Sequence, residues 1–287
     1  MKKYFLIACC ILGLFACKKE EVPANEPMLI VKLKVDSTQV RLGNTGLPAP
    51  MPTGHAGQNP RFNKIAAHYM ELDPTAYTPL GGGVVLYHAD ETTTGGATAI
   101  DFSKSKVVNS GDIFLQIPLK QIAHGSYEWV RLSLSYQNYD VTFYYNNNPY
   151  TGTVASFVGY NTYITNYVVK SQTDTVNENK LQGYWAFESL GNLTSGQAPA
   201  GATTVPNPIF ATSPIPQGSC VVTGQFSSPL VIDGTETKDI VATMSLSINN
   251  SFEWIDTNGN GHWDASLGGV ESVVDMGLRG LMPSYQR

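Results

Sequence analysis

The sequence predicts an all-β protein, an antiparallel β-sandwich of Greek-key-like connectivity with long Gly/Pro-rich loops. Three observations carry that expectation. Apolar residues recur with period 2 in many short segments, the spacing that sends alternate side chains to opposite faces of a sheet. Helical periodicity is almost absent; its best case is a short turn at 119–124, broken at Gly125. Many short strands without intervening helices pack as sheet on sheet.

The elements follow in order. Leu29, Val31, Leu33 and Val35 alternate with Ile30, Lys32, Lys34 and Asp36, which predicts the first strand. A Gly/Pro-rich loop occupies 38–60. Strands are predicted next at 64–72, 84–89 and 113–117. Val130, Leu132, Leu134 and Tyr136 alternate with Arg131, Ser133, Ser135 and Gln137 in another. A strand at 141–145 leads into Asn146-Asn147-Asn148-Pro149, which reads as a hairpin turn. Strands at 154–160, 162–169 and 181–188 follow. The loop 190–218 carries Pro199, Pro206, Pro208, Pro214 and Pro216. Beyond it lie strands at 220–226 and 240–249, then one ending in Phe252-Glu253-Trp254. One domain is expected over 28–287, with a candidate sub-boundary in the loop 190–218. Residues 220–255 alone offer too few strands to close a core.

The first residues have the three parts of an export signal. Lys2 and Lys3 supply positive charge, and an apolar stretch runs from Tyr4 to Ala16. That stretch is shorter than the ~20 residues needed to span a bilayer. Leu14-Phe15-Ala16-Cys17 then resembles the lipobox of bacterial lipoproteins. The resemblance implies that 1–16 is cleaved and that Cys17 carries diacylglycerol and a further fatty-acyl chain such as palmitate. Buried methylenes, worth about 0.8 kcal/mol each, would hold the chain on a membrane without crossing it. Lys19-Glu20-Glu21 resembles the export signal of surface lipoproteins of Bacteroidota, a lysine and two acids just after the lipidated cysteine. It implies an outer-membrane, cell-surface address. The polar segment 17–27 is expected to be a flexible tether.

Removing 1–16 lowers Lys plus Arg from 18 to 16 against 23 acids, a net charge near −7. Phosphate binding needs a basic footprint, so nucleic acid is not an expected partner. Cys9 and Cys10 fall in the signal and Cys17 is the lipidation residue. No second cysteine is then left for an intramolecular disulfide, and Cys220 is expected to be a buried strand thiol.

The sharpest motif is Asp256-Thr257-Asn258-Gly259-Asn260-Gly261-His262-Trp263-Asp264. Oxygen side chains fall at Asp256, Asn258, Asn260 and Asp264, with a backbone carbonyl on offer at His262 and the bend at Gly261. That spacing resembles an EF-hand-type loop, in which alternate oxygens converge on Ca²⁺. It departs from the full pattern at Leu267, where the usual bidentate Glu is missing. Glu271 or Asp275 is the candidate replacement.

Asp36-Ser37-Thr38 and Asp174-Thr175-Val176 resemble the O-glycosylation sequon of Bacteroidota, which makes Ser37 and Thr175 candidate glycan acceptors. Tyrosines concentrated between Tyr127 and Tyr184, beside Trp129, Trp185 and Asn146–Asn148, make a candidate glycan-stacking face. The five histidines form no His-x-His or His-Glu-x-x-His pair, so their spacing predicts no metal site. His88-Ala89-Asp90-Glu91 places an imidazole near carboxylates, as the end of a strand commonly does. There is no Gly-x-Ser-x-Gly elbow and no Walker loop, and Gly81-Gly82-Gly83 reads as a turn.

The expectation is therefore a non-catalytic surface lipoprotein with structural Ca²⁺, binding a glycan or a partner protein. Its competitors are a carbohydrate-active hydrolase and a structural subunit of an envelope complex.

Overall fold

The computed structural model describes residues 26–42, 48–199, 220–266 and 269–287. The export signal, Cys17, Lys19-Glu20-Glu21 and Leu267 lie outside the described residues. In chain order the strands are β1 Met28–Asp36, β2 His55–Gln58, β3 Arg61–Asp73, β4 Val84–His88, β5 Glu91–Thr92, β6 Ala99–Asp101, β7 Val107–Val108, β8 Ile113–Pro118, β9 Gly125–Tyr145, β10 Asn148–Phe157 and β11 Thr162–Val168. They continue as β12 Thr173–Lys180, β13 Tyr184–Ser189, β14 Asn192–Gln197, β15 Val222–Ile232, β16 Ile240–Ser247, β17 Phe252–Ile255, β18 Ala265–Ser266, β19 Gly269–Val270, β20 Val273–Met276 and β21 Arg279–Gln286.

The protein is all-β, at 61% strand, with antiparallel sheets that pack as a β-sandwich. Two short 3-10 turns occur, at Phe102–Lys104 and Leu119–Gln121, and the second falls in the turn expected at 119–124. One sheet runs β21-β16-β1-β8, and an eight-stranded sheet runs β14-β13-β10-β9-β3-β4 with β15 on β9 and β7 on β3. Smaller sheets are β12-β11-β6-β5, β2-β17-β20 and β18-β19. Two of the pairings, β1 with β16 and β6 with β11, are parallel.

The period-2 pattern explains the packing. In β16, Ile240, Ala242, Met244 and Leu246 face inward against Leu29, Val31 and Leu33 of β1's inner face, and Ile65, Met70, Val130, Leu132 and Leu230 close this first core from the larger sheet. A second core, on the other face of that sheet, joins Ala66, Tyr136, Phe157, Ile164, Tyr167 and Tyr184. A third gathers Tyr139, Val141, Phe143, Phe252, Trp254 and Trp263.

Strands 130–137 and 141–145 of the sequence reading are one continuous element, β9. Polar Asn138 and Asp140 interrupt its apolar pattern, yet both are buried and bonded. Asn138 Nδ2 donates to the Val169 carbonyl at 2.8 Å, and Asp140 accepts from Thr153 Oγ1 at 2.7 Å and from Asn63 and Arg61. The β9–β10 hairpin closes through Asn146 and Asn147, at φ 49° and 60°. Two successive left-handed residues make the tight turn whose twist suits paired strands, and Asn tolerates that region.

The turn between β11 and β12 is held by one carboxylate. Glu188, buried on β13, accepts from the backbone N–H groups of Lys170 (2.8 Å), Ser171 (2.9 Å) and Gln172 (3.0 Å), and from the Ser171 hydroxyl. Burial pushes its carboxyl up, but these donors outweigh that and bring it from an ordinary 4.5 down to about 2. A depressed folded-state value stabilises the fold above pH 4.5 and loses that contribution as pH falls towards 2. Glu188→Gln is therefore expected to lower stability by about 1.5–3 kcal/mol at neutral pH. Urea midpoints should show the gap to the parent chain narrowing below pH 4.5.

Candidate functional site

The loop 256–264 leaves the third core at the end of β17 and returns to it at Trp263. Its base is tied down on three sides. Asp256 N donates to the Gly54 carbonyl (2.9 Å), Tyr144 N to the Trp263 carbonyl (2.8 Å) and Glu271 N to the Asp264 carbonyl (2.9 Å). The Trp263 indole is buried against Phe143, Phe187 and Phe252. Gly259 and Gly261, at φ 70° and 71°, supply the left-handed bends.

The candidate ligands are brought together on this frame. Asp256 accepts from Asn260 N through Oδ1 (3.2 Å) and from Gly261 N through Oδ2 (2.9 Å). Asn258 Oδ1 accepts from Asn260 N (3.0 Å), and Asn260 Oδ1 accepts from His262 N (2.7 Å). Asp264 Oδ2 receives the amides of Asn258 (2.7 Å) and Asn260 (2.9 Å). The His262 ring turns away and stacks on Tyr144, centroids 3.8 Å apart and planes 2° from parallel. Its carbonyl remains the group at the expected loop position.

Of the two acids considered for the missing position, Glu271 reaches the loop and Asp275 does not. The Glu271 carboxylate accepts from Thr257 N (2.8 Å), Thr257 Oγ1 (2.9 Å) and Asp264 N (3.0 Å), while its carbonyl accepts from the Trp263 indole (3.0 Å). Asp275 instead pairs with Arg279 and accepts from Gly277 N at 3.0 Å.

A second cluster was not legible in the histidine spacing. His68 of β3, His88 of β4 and Glu91 of β5 place one ligand atom each within 4.8 Å of one another. His68 Nε2 lies 3.1 Å and His88 Nε2 3.3 Å from the same oxygen, Glu91 Oε1. Donation from His68 and then His88 holds the Glu91 carboxyl at about 2, against a smaller opposing effect of burial. Burial dominates at His68 and pushes its imidazole down. The hint in the sequence was His88-x-x-Glu91; the third member comes from a strand 20 residues earlier.

Among the described residues a cleft of about 1060 Å³ opens between the β10–β13 surface and the 270–282 segment. Trp185, Phe187, Gln137, Gln182 and Gln197 are on its wall. The Trp185 ring lies across β14, where a Cβ at Gly196 would stand 2.7 Å from it. Gln137 donates to the Met276 carbonyl at 2.6 Å, while its own buried Oε1 has no hydrogen-bond partner.

Other expected site residues separate. Ser37 and Thr175 are both exposed, Ser37 in the bend after β1 and Thr175 within β12. Asp174 is engaged by the hydroxyls of Tyr167 (2.9 Å) and Tyr184 (3.0 Å). The tyrosine-rich stretch is in large part core: Tyr127, Tyr136, Tyr139, Tyr167 and Tyr184 are buried. Cys220 is half-buried and precedes β15, in place of the buried strand thiol expected. No helix among the described residues is long and apolar enough to cross a membrane. No protein-family model matches the chain, and it matches neither a curated protein nor a solved structure.

Proposed function

We propose that this protein is a cell-surface lipoprotein, anchored through Cys17 in the outer membrane, that acts as a non-catalytic binding or accessory component. Its ligand in this reading is a glycan or a partner protein, and its 256–264 loop carries structural Ca²⁺. The observation that carries the binding role is the cleft, in which an aromatic ring and several amides share one apolar wall. Aromatic faces with nearby hydrogen-bonding groups suit the alternating apolar and hydroxyl surfaces of a sugar ring. Two carboxylates, Glu271 and Asp275, also border the cleft. Both are already engaged, Glu271 by the loop and Asp275 by Arg279. That favours binding over a hydrolase's pair of working acids.

The donor set supports calcium. Asp256, Asn258, Asn260 and Asp264 converge on one loop, the His262 carbonyl is at the matching position, and all are oxygen donors of the kind Ca²⁺ takes. Rotating the two asparagine amides would replace their NH₂ groups by oxygens beside Asp264. Two carboxylates imply weak affinity of the extracellular type. The membrane address rests on Leu14–Cys17 and Lys19-Glu20-Glu21.

Three outcomes are expected. Calcium should raise the melting temperature of the mature chain, because a hundredfold excess over Kd stabilises the fold by about 2.7 kcal/mol. Asp256→Ala should abolish that shift in a thermal melt, and a chain that melts alike with calcium and with chelator would refute the calcium assignment. Cys17→Ala should move the protein from the membrane fraction to the soluble fraction on cell fractionation. On a glycan array, a binding signal should fall at least about tenfold in Trp185→Ala, the loss of one stacking contact and its buried area. An array with no signal, together with pull-downs that yield no Trp185-dependent partner, counts against the binding role.

A further inference from the structure

His68, His88 and Glu91 meet where the chain passes from the eight-stranded sheet, through β4, into β5 of the neighbouring sheet. The backbone is shaped for this meeting. Ala67 pairs with Leu134 and Tyr69 with Ser133, so His68 is the extra residue of a β-bulge. A bulge re-aims a side chain that regular pleating would direct elsewhere, and bulges concentrate beside functional sites. The strand exit is fixed too: Ala89 N donates to the His68 carbonyl at 2.7 Å, and Asp101 N to the Asp90 carbonyl at 2.8 Å. The His68 ring is fully buried and stacks on Tyr160, 5.7 Å between centroids and 9° between planes. Both imidazoles therefore face Glu91 from fixed positions.

We propose that His68, His88 and Glu91 form a zinc site, binding through two imidazole nitrogens and one carboxylate oxygen. In a tetrahedron with metal–ligand bonds of ~2.0–2.1 Å, neighbouring ligand atoms stand roughly 3.3 Å apart. The two Nε2 atoms are 3.1 and 3.3 Å from Glu91 Oε1, so two edges of that tetrahedron already have the right length. Among the described residues this is the one group of three or more His, Cys, Asp or Glu side chains whose ligand atoms lie so close. Mixed nitrogen and oxygen ligands favour zinc over calcium, the reverse of the 256–264 loop. Three protein ligands leave a fourth position, as in zinc sites that hold a water or a substrate oxygen. Side-chain exposure of 36% at His88 gives an ion its way in.

The test is calorimetric titration of the full processed chain, freed of metal by chelator, with zinc chloride. One zinc should bind. Because removing even an outer partner of a zinc ligand costs about 10–100-fold, His88→Ala and Glu91→Gln should each weaken binding by more than about 100-fold. Both positions are accessible enough to keep the fold, which circular dichroism would verify; wholly buried His68 is left intact. Cobalt in place of zinc should give the strong visible absorption of a four-coordinate ion, lost in Glu91→Gln. Asp256→Ala should leave zinc binding unchanged, which separates this site from the calcium loop. No zinc heat, or equal affinity in the parent chain, His88→Ala and Glu91→Gln, would overturn the assignment.

Discussion

A strand must find partners for two edges and two faces, and β9 is long enough that no single neighbour can supply them all. Its 21 residues span roughly 70 Å at the usual strand rise. One edge is taken by β3; the other is divided between β15 at its start and β10 at its end. Its faces are divided likewise. Val130 and Leu132 serve the first core, Tyr136 the second, and Tyr139, Val141 and Phe143 the third. The three cores are thus held in mutual position by one backbone, and register shifts against β3 reset which side chain faces which core. The bulge that directs His68 towards Glu91 is one of those shifts.

The same strand organises the buried charge. Arg131 Nη1 lies 2.9 Å from Glu71 Oε1 and 3.0 Å from Asp73 Oδ1, and Glu71 also accepts from the Tyr69 hydroxyl (2.7 Å) and Gly81 N (2.7 Å). Burial, then the Glu71 charge, pushes the Asp73 carboxyl up, and Arg131 only partly opposes this. Removing a charge from water costs several kcal/mol unless partners repay it. A chain with 14% charged residues can therefore bury a few only where donors are pre-placed. Glu188 and Glu271 follow the same rule with backbone N–H donors, and each pins a turn.

Much of the fold was legible because burial on one face leaves a period-2 trace. β1 and β16 carry it clearly, and Asn146-Asn147 marked the hairpin. The trace fails where burial is slight or double-sided. Edge strands β12 and β14 consist largely of polar residues, exposed or half-buried, so Thr173–Lys180 and Asn192–Gln197 give no apolar alternation. Asn138 and Asp140 split β9 into two apparent strands, because hydrogen bonds to other strands, invisible in sequence, replace apolar contacts there. The calcium-type loop was readable since its candidate ligands are local in the chain; Glu271 was found seven residues beyond Asp264. The His68–His88–Glu91 cluster was not, because a bulge and a strand pairing bring it together. Local spacing records neither.

The parallel pairing of β1 with β16 has a further consequence. Leu29 sits beside Ile240 and Asp36 beside Ser247, so the first strand of the body gains one of its two neighbours only when more than 200 residues have followed it. β21 then joins the outer edge of β16. The sheet that seals the first core is completed only by β21, at Arg279–Gln286. A nascent polypeptide of this design stays open on that side until β16 and β21 have been made, with its first strand paired to β8 alone. Such late closure acts as a built-in delay on the folding of the first core.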